Sequence, residues 1–579
     1  MTPASKLLHE GAVHLRPFLQ PCGELDDPVF GEPTQYGTGY FAYVNAALGR
    51  LSRGAAGASY FESAERGLAA ALRHLLDPAD PPATSSYAPP VASPTARNHR
   101  DFMLLPVMRC LRLLRSARRP GLDALAEQVR EVEVPEVFAT RPPHNWAAVW
   151  LVGEWLRARE GLSSPPAEPF DAWLAPFFEG PDGRVDLEKG FYYEPGYPNS
   201  YDLFTRYHLL ELLAEGYAGR HRPALEQLLR AGLRRSLAVQ LSNGSLASAH
   251  RSTGQLWTLT GQCAFFHRAA ELCAGEALAE KAREAALRSF AAALGCRRRD
   301  GGLSPVENVL PANFRVGYEP YTADAHYVAL ALSFLADAVM AGFTGAEEPG
   351  AARGEASALV GDAWPQARTE AHIEAEPLWR SLLHRDGWSV HVNLAPQPGY
   401  DAFGVADVSL GSGRWLRFGG QVRHVGTGSP ITLGLAVRDG QGGLRPLAAA
   451  GSVKDPFARY DPAADCLEAG ALVDGLRYRF RAGVVAGDLS VVESAGERAC
   501  SLIVPYLRDR GDGARPMVEP QPAGLRLSVR GEQVEVSTDR PVERAVHLPY
   551  GYESRHGLVG VVRLDLAGTG PVAYRLRRR

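Results

Sequence analysis

Four short segments combine imidazole, amide, guanidinium and phenol groups where one helical pattern gives way to the next. Arg97-Asn98-His99-Arg100-Asp101 precedes an apolar stripe that opens at Leu104, and His144-Asn145-Trp146 precedes another. The third runs from Gly190 through Tyr192, Tyr193, Glu194 and Tyr197 to Tyr201 and Asp202, with His208 two turns further on. The fourth is Ser242-Asn243-Gly244 followed by His250-Arg251-Ser252, with Trp257 beyond. Aromatic faces beside Asn, Arg and His suit a sugar: the ring faces stack on apolar sugar faces while polar groups take hydroxyls and carboxylates. Each segment alone also reads as helix capping or tyrosine packing. Their recurrence at one kind of position makes a shared site the stronger expectation.

The elements that must carry them change character near residue 365. Before it the period is helical: Leu104, Val107, Met108, Leu111 and Leu114 form one stripe, and Leu203, Tyr207, Leu210, Ala214 and Tyr217 another. Leu259, Cys263, Phe266, Ala270 and Cys273 make a third. The pattern predicts helices over 59–77, 101–117, 122–131, 145–159, 168–178, 201–218, 223–240, 255–274, 276–294 and 321–342. Asn199 and Ser200 are placed to cap the helix carrying Tyr201. Paired helices without interleaved strands predict an α/α toroid (an incomplete (α/α)6 barrel) or a solenoid over 1–365.

After it the period is two. Trp388, Val390, Val392 and Leu394 alternate with Ser389, His391 and Asn393, and Leu525, Leu527, Val529 and Val562, Leu564, Leu566 repeat the pattern. Asp386-Gly387, Asp439-Gly440, Asp474-Gly475 and Arg530-Gly531 punctuate the runs as turns. Residues 366–579 therefore read as an antiparallel β-sandwich, and the Ala/Gly/Glu-rich stretch 344–366 as a surface connection. The class is α+β, in two domains.

With 579 residues, 45% hydrophobic and 22% charged, the composition is globular and excludes fibrous or wholly disordered classes. A net charge of −3 gives no footprint for nucleic acid; the basic run Arg575–Arg579 reads as a solvated tail. Seven scattered cysteines without a CxxC pair support neither a disulfide framework nor a zinc knuckle, and no metal or cofactor is called for. Nothing approaches 18 consecutive apolar residues and no signal peptide is evident. A cytoplasmic location is the default expectation, with periplasmic or secreted forms as alternatives, and oligomeric state is left open.

Toroid-then-sandwich order, an Asn-Trp pair opening a helix, a Tyr-rich segment entering the next and an Arg-Ser pair before another resemble polysaccharide lyases. The similarity is to the chondroitin AC/hyaluronate lyase type and the heparinase II/III-like lyases. It implies that Asn145 neutralises a uronate carboxylate, that Trp146 is the aromatic platform beside it, that Tyr201 is the catalytic tyrosine and that Arg251 steadies it. Where that family has a histidine nine positions before the tyrosine, this chain has Tyr192; His144 or His208 would have to supply an imidazole. Asn98, His99, Tyr192, Tyr193, Glu194, Tyr197 and Trp257 complete the expected substrate-binding set, and the expected partner is an acidic oligosaccharide or polysaccharide.

The chemistry has its own logic. β-Elimination removes the weakly acidic C5 proton of a uronic acid and expels the O4 oxygen, so the carboxylate must be neutralised and the enolate charge stabilised by donors. A tyrosine with an ordinary pKa near 10 needs a nearby cation to act as base, and the same phenol can then protonate the leaving oxygen. Two alternatives remain at this stage. One is an inverting glycoside hydrolase using two carboxyls among Glu194, Asp202, Glu319 and Asp324; the other is a non-catalytic carbohydrate-binding protein.

Overall fold

The computed structural model describes the chain apart from residues 78–98, 164–166, 180–183, 347–369, 398, 412–417, 420–421, 439–442 and 550. The 344–366 connection, the boundary near 365, Asn98 and the Asp439-Gly440 turn lie wholly or largely outside the described residues. The chain divides into two compact units: Met1–Leu237 with Gln255–Pro305 and Tyr318–Ala351, and Ala238–Gly254 with Val306–Gly317 and Ala352–Arg579.

The helical unit contains α1 (Pro3–Leu15), α2 (Gly37–Leu51), α3 (Gly54–Leu76), α4 (Leu104–Ser116), α5 (Asp123–Arg130), α6 (Val134–Val137) and α7 (Asn145–Arg159). It continues with α8 (Ala167–Phe178), α9 (Asn199–Ala214), α10 (Arg222–Ala238), α11 (Leu256–Leu272), α12 (Ala277–Leu294) and α13 (Asp324–Met340). Six of them form an inner ring by successive packing, α2 on α4, α4 on α7, α7 on α9, α9 on α11, α11 on α13 and α13 back on α2. Others form an outer layer, α3 against α2, α12 against α11 and α1 against α13. Each inner helix is approached through an outer one, so the six inner helices run parallel and begin at the same end of the ring.

Inner and outer helices bury differently. Every residue from Gly37 to Gly49 in α2 and from Asp324 to Val339 in α13 is buried, so these helices are covered on all sides. Outer α12 buries one stripe that includes Ala279, Ala282, Ala286, Ser289, Phe290 and Ala293. Close approach within the ring needs a missing side chain: a Cβ on Gly153 of α7 would lie 2.8 Å from the Leu105 backbone nitrogen of α4. The middle of the ring is polar. Arg109 of α4 donates to Asp337 of α13 (2.6 Å) and Glu211 of α9 (2.7 Å), and the hydroxyls of Tyr43 and Tyr207 donate to Asp337 at 2.6 and 2.5 Å.

The second unit consists of antiparallel sheets. An eight-stranded sheet runs Val453–Asp461, Cys466–Val473, Leu476–Val485, Asp488–Ala495, Val572–Arg578, Glu532–Thr538, Gly524–Val529, Met517–Gln521. A seven-stranded sheet is centred on Ala499–Asp509 and Gly557–Thr569, and a five-stranded one on Trp388–Asn393. They share one apolar core that includes Trp388, Leu467, Phe480, Leu502, Val536, Leu564 and Leu576. The hairpin turns at Asp386-Gly387, Asp474-Gly475 and Arg530-Gly531 all have positive φ at both central residues, the geometry that matches strand twist. All seven cysteines are unpaired.

Three sequence expectations are corrected. The span 1–365 is not one helical body: 238–254 and 306–317 fold with the sheets. Ser242 bonds the hydroxyls of Ser389 (2.8 Å) and Ser409 (2.9 Å), the Ser248 amide donates to Asp407 (2.8 Å), and the Val309 amide donates to the Arg510 carbonyl (2.7 Å). This cover also explains why Ser389, His391 and Asn393, on the polar side of an alternating strand, are buried. Asn199 does not cap α9; it sits in the first turn, with its Oδ1 accepting from Arg235 at 2.8 Å, and Pro198 precedes it. Helices α1 and α2 lie outside the ten expected segments; α2 is buried on every side and has no amphipathic stripe to read.

Candidate active site

The shared N-terminal end of the six inner helices carries a closed circuit of rings. Tyr36, just before α2, lies 5.4 Å from His99 (centroid to centroid), and His99 lies 4.5 Å from Trp146 at the start of α7. Trp146 meets Phe102, before α4, at 6.0 Å; Phe102 meets Phe204 of α9 at 5.6 Å; and Phe204 meets Trp257 of α11 at 5.7 Å. Trp257 meets Tyr327 of α13 at 6.4 Å, Tyr327 meets His326 at 4.6 Å, and His326 returns to Tyr36 at 5.1 Å. Every inner helix contributes, always from its first two turns or the residues before it.

Five sequence candidates belong to this circuit or border it: His99, Trp146 and Trp257 are in it, and Asn145 and Tyr201 are beside it. Asn145 opens α7, is wholly buried, and its Oδ1 and Nδ2 have no hydrogen-bond partner. An amide buried this way costs about 1–3 kcal/mol per unsatisfied group, so it marks a place prepared for a polar ligand. Tyr201 is half-buried on α9, with its ring 6.0 Å from Trp257 and 6.3 Å from Phe204. Burial, with His326 and His144 near, holds the His99 imidazole well below its ordinary range, so it is neutral. Six parallel helix N-termini add partial positive charge at this end, which favours an anion there.

The remaining candidates divide by what they touch. His144 is the N-cap of α7: its Nδ1 accepts from the Trp146 amide at 3.1 Å, so in the neutral ring the proton is on Nε2. Tyr192 is fully buried and donates to the Pro143 carbonyl at 2.7 Å, which makes it a support for the His144–Asn145 turn. Glu194 is buried 3.4 Å from the Tyr192 hydroxyl and 3.8 Å from Arg184. Tyr193 bonds Asp186 and Lys189 at 3.3 Å beside the Tyr197 ring, outside the circuit. Tyr197 has φ 54°, and His250 and Ser252, flanking Arg251, have φ 56° and 64°, left-handed conformations that strain residues other than glycine. Arg251 is carried by 238–254 and so belongs to the sheet unit.

His208 is a core imidazole. It lies in α9 against Phe204 (4.3 Å) and Phe334 (6.1 Å), its Nδ1 donates to the Phe204 carbonyl at 2.7 Å, and burial lowers its pKa to about 3. The folded state therefore resists protonating it, while the unfolded chain takes a proton below the ordinary 6.5. Its contribution to stability is intact above 6.5 and is lost as pH falls toward 3. Compared with His208→Gln, wild type is expected to lose about 1.4 kcal/mol of unfolding free energy per pH unit through that window. Denaturant titrations of both proteins at several pH values check this; parallel pH curves would mean that His208 is solvated.

Two of the four carboxylates considered for hydrolysis are committed elsewhere. Asp202 accepts from Arg206 (2.8 and 2.6 Å), Arg235 (2.8 Å) and the Tyr192 amide (2.9 Å). Asp324 accepts from Arg298 (2.5 Å) and Tyr318 (2.7 Å). Glu319 is buried at the mouth, where Gln255 donates to it at 3.2 Å and itself accepts from the Trp257 indole at 2.5 Å. Sequence reasoning missed Tyr36, Phe102, Phe204, Gln255, His326 and Tyr327. Phe204 reads as core, and Tyr36 precedes a helix that had no visible period. Their signal is recurrence: an aromatic or imidazole just before, or within the first two turns of, each inner helix.

One group in the sheet unit brings metal-ligand atoms together: Asp461, Cys466 and Glu468, within 4.8 Å of one another. Glu468 is engaged by Arg459 at 2.6 Å, and the Arg481 Nε lies 2.9 Å from the Cys466 sulfur, so guanidinium groups already provide positive charge there. No helix among the described residues is long and apolar enough to cross a membrane.

No family model matches the chain, and no curated protein matches its sequence. Among solved structures, it is similar to heparinase III, at 11% identity over 94% of this chain and 77% of that one, with a TM-score of 0.38. An inactive variant of the α-1,6-mannanase GH76A of Salegentibacter sp. HEL1_6, bound to α-1,6-mannotriose, matches at 11% identity over 58% and 98%, with a TM-score of 0.37. A family 88 glycosyl hydrolase from Bacteroides vulgatus matches at 11% identity over 58% and 99%, with a TM-score of 0.37. Similarity at this level leaves the chemistry to be argued from this chain's own residues.

Proposed function

We propose that the protein is a glycan-processing enzyme that cleaves a uronic-acid-containing oligosaccharide or polysaccharide by β-elimination at the mouth of the helical ring. The observation that carries this reading is Asn145: a fully buried amide with both polar atoms unpartnered, directly before Trp146 of the circuit of aromatic and imidazole rings. The rings offer flat apolar faces to a sugar. The Asn145 amide and the converging helix N-termini suit a carboxylate whose charge must be offset before its α-proton can leave. In this reading Tyr201, half-buried on the same rim, takes the C5 proton and returns one to the departing O4 oxygen. His99, buried and neutral, adds an imidazole beside Trp146.

The test is direct. A panel of acidic oligosaccharides is incubated with the protein and followed by ultraviolet absorbance and by reducing-end assay. Elimination leaves a conjugated unsaturated uronate, so both signals are expected to rise together. New reducing ends without absorbance would identify hydrolysis instead. The second reading, a hydrolase, is favoured by Glu319, the buried carboxyl that Gln255 holds at the mouth. Asn145→Ala separates them further. Elimination should fall by about 2.7–4 kcal/mol of transition-state stabilisation, the loss typical of one oxyanion donor, whereas a Glu319-centred hydrolysis should keep most of its rate.

A further inference from the structure

We infer that the outer face of the eight-stranded sheet, over strands Val453–Asp461, Cys466–Val473 and Leu476–Val485, is a binding surface for an anionic glycan strand. The face holds a cleft of about 780 Å³ whose lining includes Phe457, Arg459, Glu468, Arg477, Arg479 and Arg481. On the third strand Tyr478, Phe480, Ala482 and Val484 point into the core, so Arg477, Arg479 and Arg481 project together from the other side. Alternate residues of a strand stand about 7 Å apart, which makes a regular row of guanidinium groups.

Phe457 supplies the second element. It pairs with Gly470 across the strands, and a Cβ on Gly470 would lie 2.6 Å from its Cε1 and 2.9 Å from its Cζ. The ring is thus laid over the glycine and held there, yet 43% of the residue remains exposed. Gly470 is in turn opposite Arg479 on the next strand. A pinned, solvent-facing aromatic beside a row of guanidinium groups offers both halves of acidic-sugar recognition: a stacking platform and planar forks for carboxylate or sulfate.

Charge complementarity selects the partner. The cleft lining carries four arginines, Arg459, Arg477, Arg479 and Arg481, against two carboxylates, Asp455 and Glu468. Glu468 is taken by Arg459 at 2.6 Å and approached by Arg481 at 3.8 Å. Arg477 and Arg479 are drawn into no carboxylate among the described residues, and both are exposed. A neutral glycan would use the aromatic but not the row; a polyanion without rings would use the row but not the aromatic. The choice of an acidic glycan rests on the proposed function; the surface does not.

The test uses the full chain and three probes: a fluorescent decagalacturonate, its carboxyl-reduced neutral counterpart, and polyglutamate of similar charge. Affinity is measured at two salt concentrations for wild type, Arg477→Ser/Arg479→Ser and Phe457→Ser, with thermal melts to confirm folding. Wild type is expected to bind the uronate chain at least tenfold tighter than either other probe. The double variant should lose about tenfold of that affinity and much of its salt dependence, and Phe457→Ser should lose severalfold for the uronate chain only. Turnover of a short acidic oligosaccharide should be unchanged in both variants. Unchanged uronate affinity in the double variant, or polyglutamate bound as tightly as the uronate chain, would overturn the inference. Affinity lost in the variants while no acidic glycan is turned over by wild type would uphold the surface and remove the enzymatic reading alone.

Discussion

Tyr201→Phe is expected to abolish most turnover while leaving the fold intact. The substitution removes one oxygen from a half-buried side chain at the first turn of α9 and keeps the ring that packs 6.0 Å from Trp257 and 6.3 Å from Phe204. A general acid–base group contributes about 10²–10⁴-fold in rate, so initial velocity on an acidic oligosaccharide should fall by at least two orders of magnitude. Binding should change little, because stacking and the Asn145 amide are untouched. Stability should shift by no more than about 1 kcal/mol, the net value of one hydrogen bond. The packing reading of Tyr201 predicts the reverse, near-full activity with a small loss of stability. Measuring both quantities on one preparation decides between them. Full activity in Tyr201→Phe with a collapse in Glu319→Gln would transfer the chemistry to the carboxyl held by Gln255.

What the sequence made legible follows from which physical signals survive burial. Outer α12 announces itself because it has a wet face, and the strand Gly524–Val529 because its side chains alternate between core and solvent. Helix α2 is silent because it is buried on every side, and its Gly-rich start argues locally against a helix. With α2 unseen, neither the closure of the ring nor the place of Tyr36 in it could be read. The clusters at His99, Asn145 and Tyr201 were visible because imidazole, amide and phenol side chains stand out at a helix start. Their partners Phe102, Phe204 and Tyr327 look like ordinary core. Membership of residues 242–252 of the fourth cluster in the sheet unit depends on hydrogen bonds such as Ser242 to Ser409, 167 residues apart in sequence, which no local pattern encodes.

Arg109→Met is expected to be the most damaging single substitution in the helical unit, although it lies away from the ring circuit. Arg109 is buried between Asp337 and Glu211, which are buried as well, and the hydroxyls of Tyr43 and Tyr207 complete the shell around Asp337. Burial pushes the Glu211 carboxyl up and Arg109 pulls it down, leaving it above the ordinary range even with its partner present. Methionine fills similar volume but leaves the buried Asp337 without its cation and Glu211 with only Arg268, at 3.4 Å. Breaking a buried pair in this way costs about 3–5 kcal/mol, much of the stability of an ordinary domain. The sign with pH follows: carboxyls whose folded pKa is raised lose stability as pH rises through that value. The deficit of Arg109→Met should therefore be greatest at neutral pH and shrink as pH falls toward the unfolded-state value of 4.5. Adding Glu211→Gln and Asp337→Asn to Arg109→Met should restore most of the loss at neutral pH, because no buried carboxylate is then left without Arg109, and the partly exposed Arg268 keeps Glu271 at 3.6 Å. Denaturant unfolding followed by far-ultraviolet circular dichroism at two pH values measures all three proteins. A deficit below about 1 kcal/mol that does not change with pH would show that water reaches these carboxylates and that α2, α4, α9 and α13 are held together by apolar packing alone.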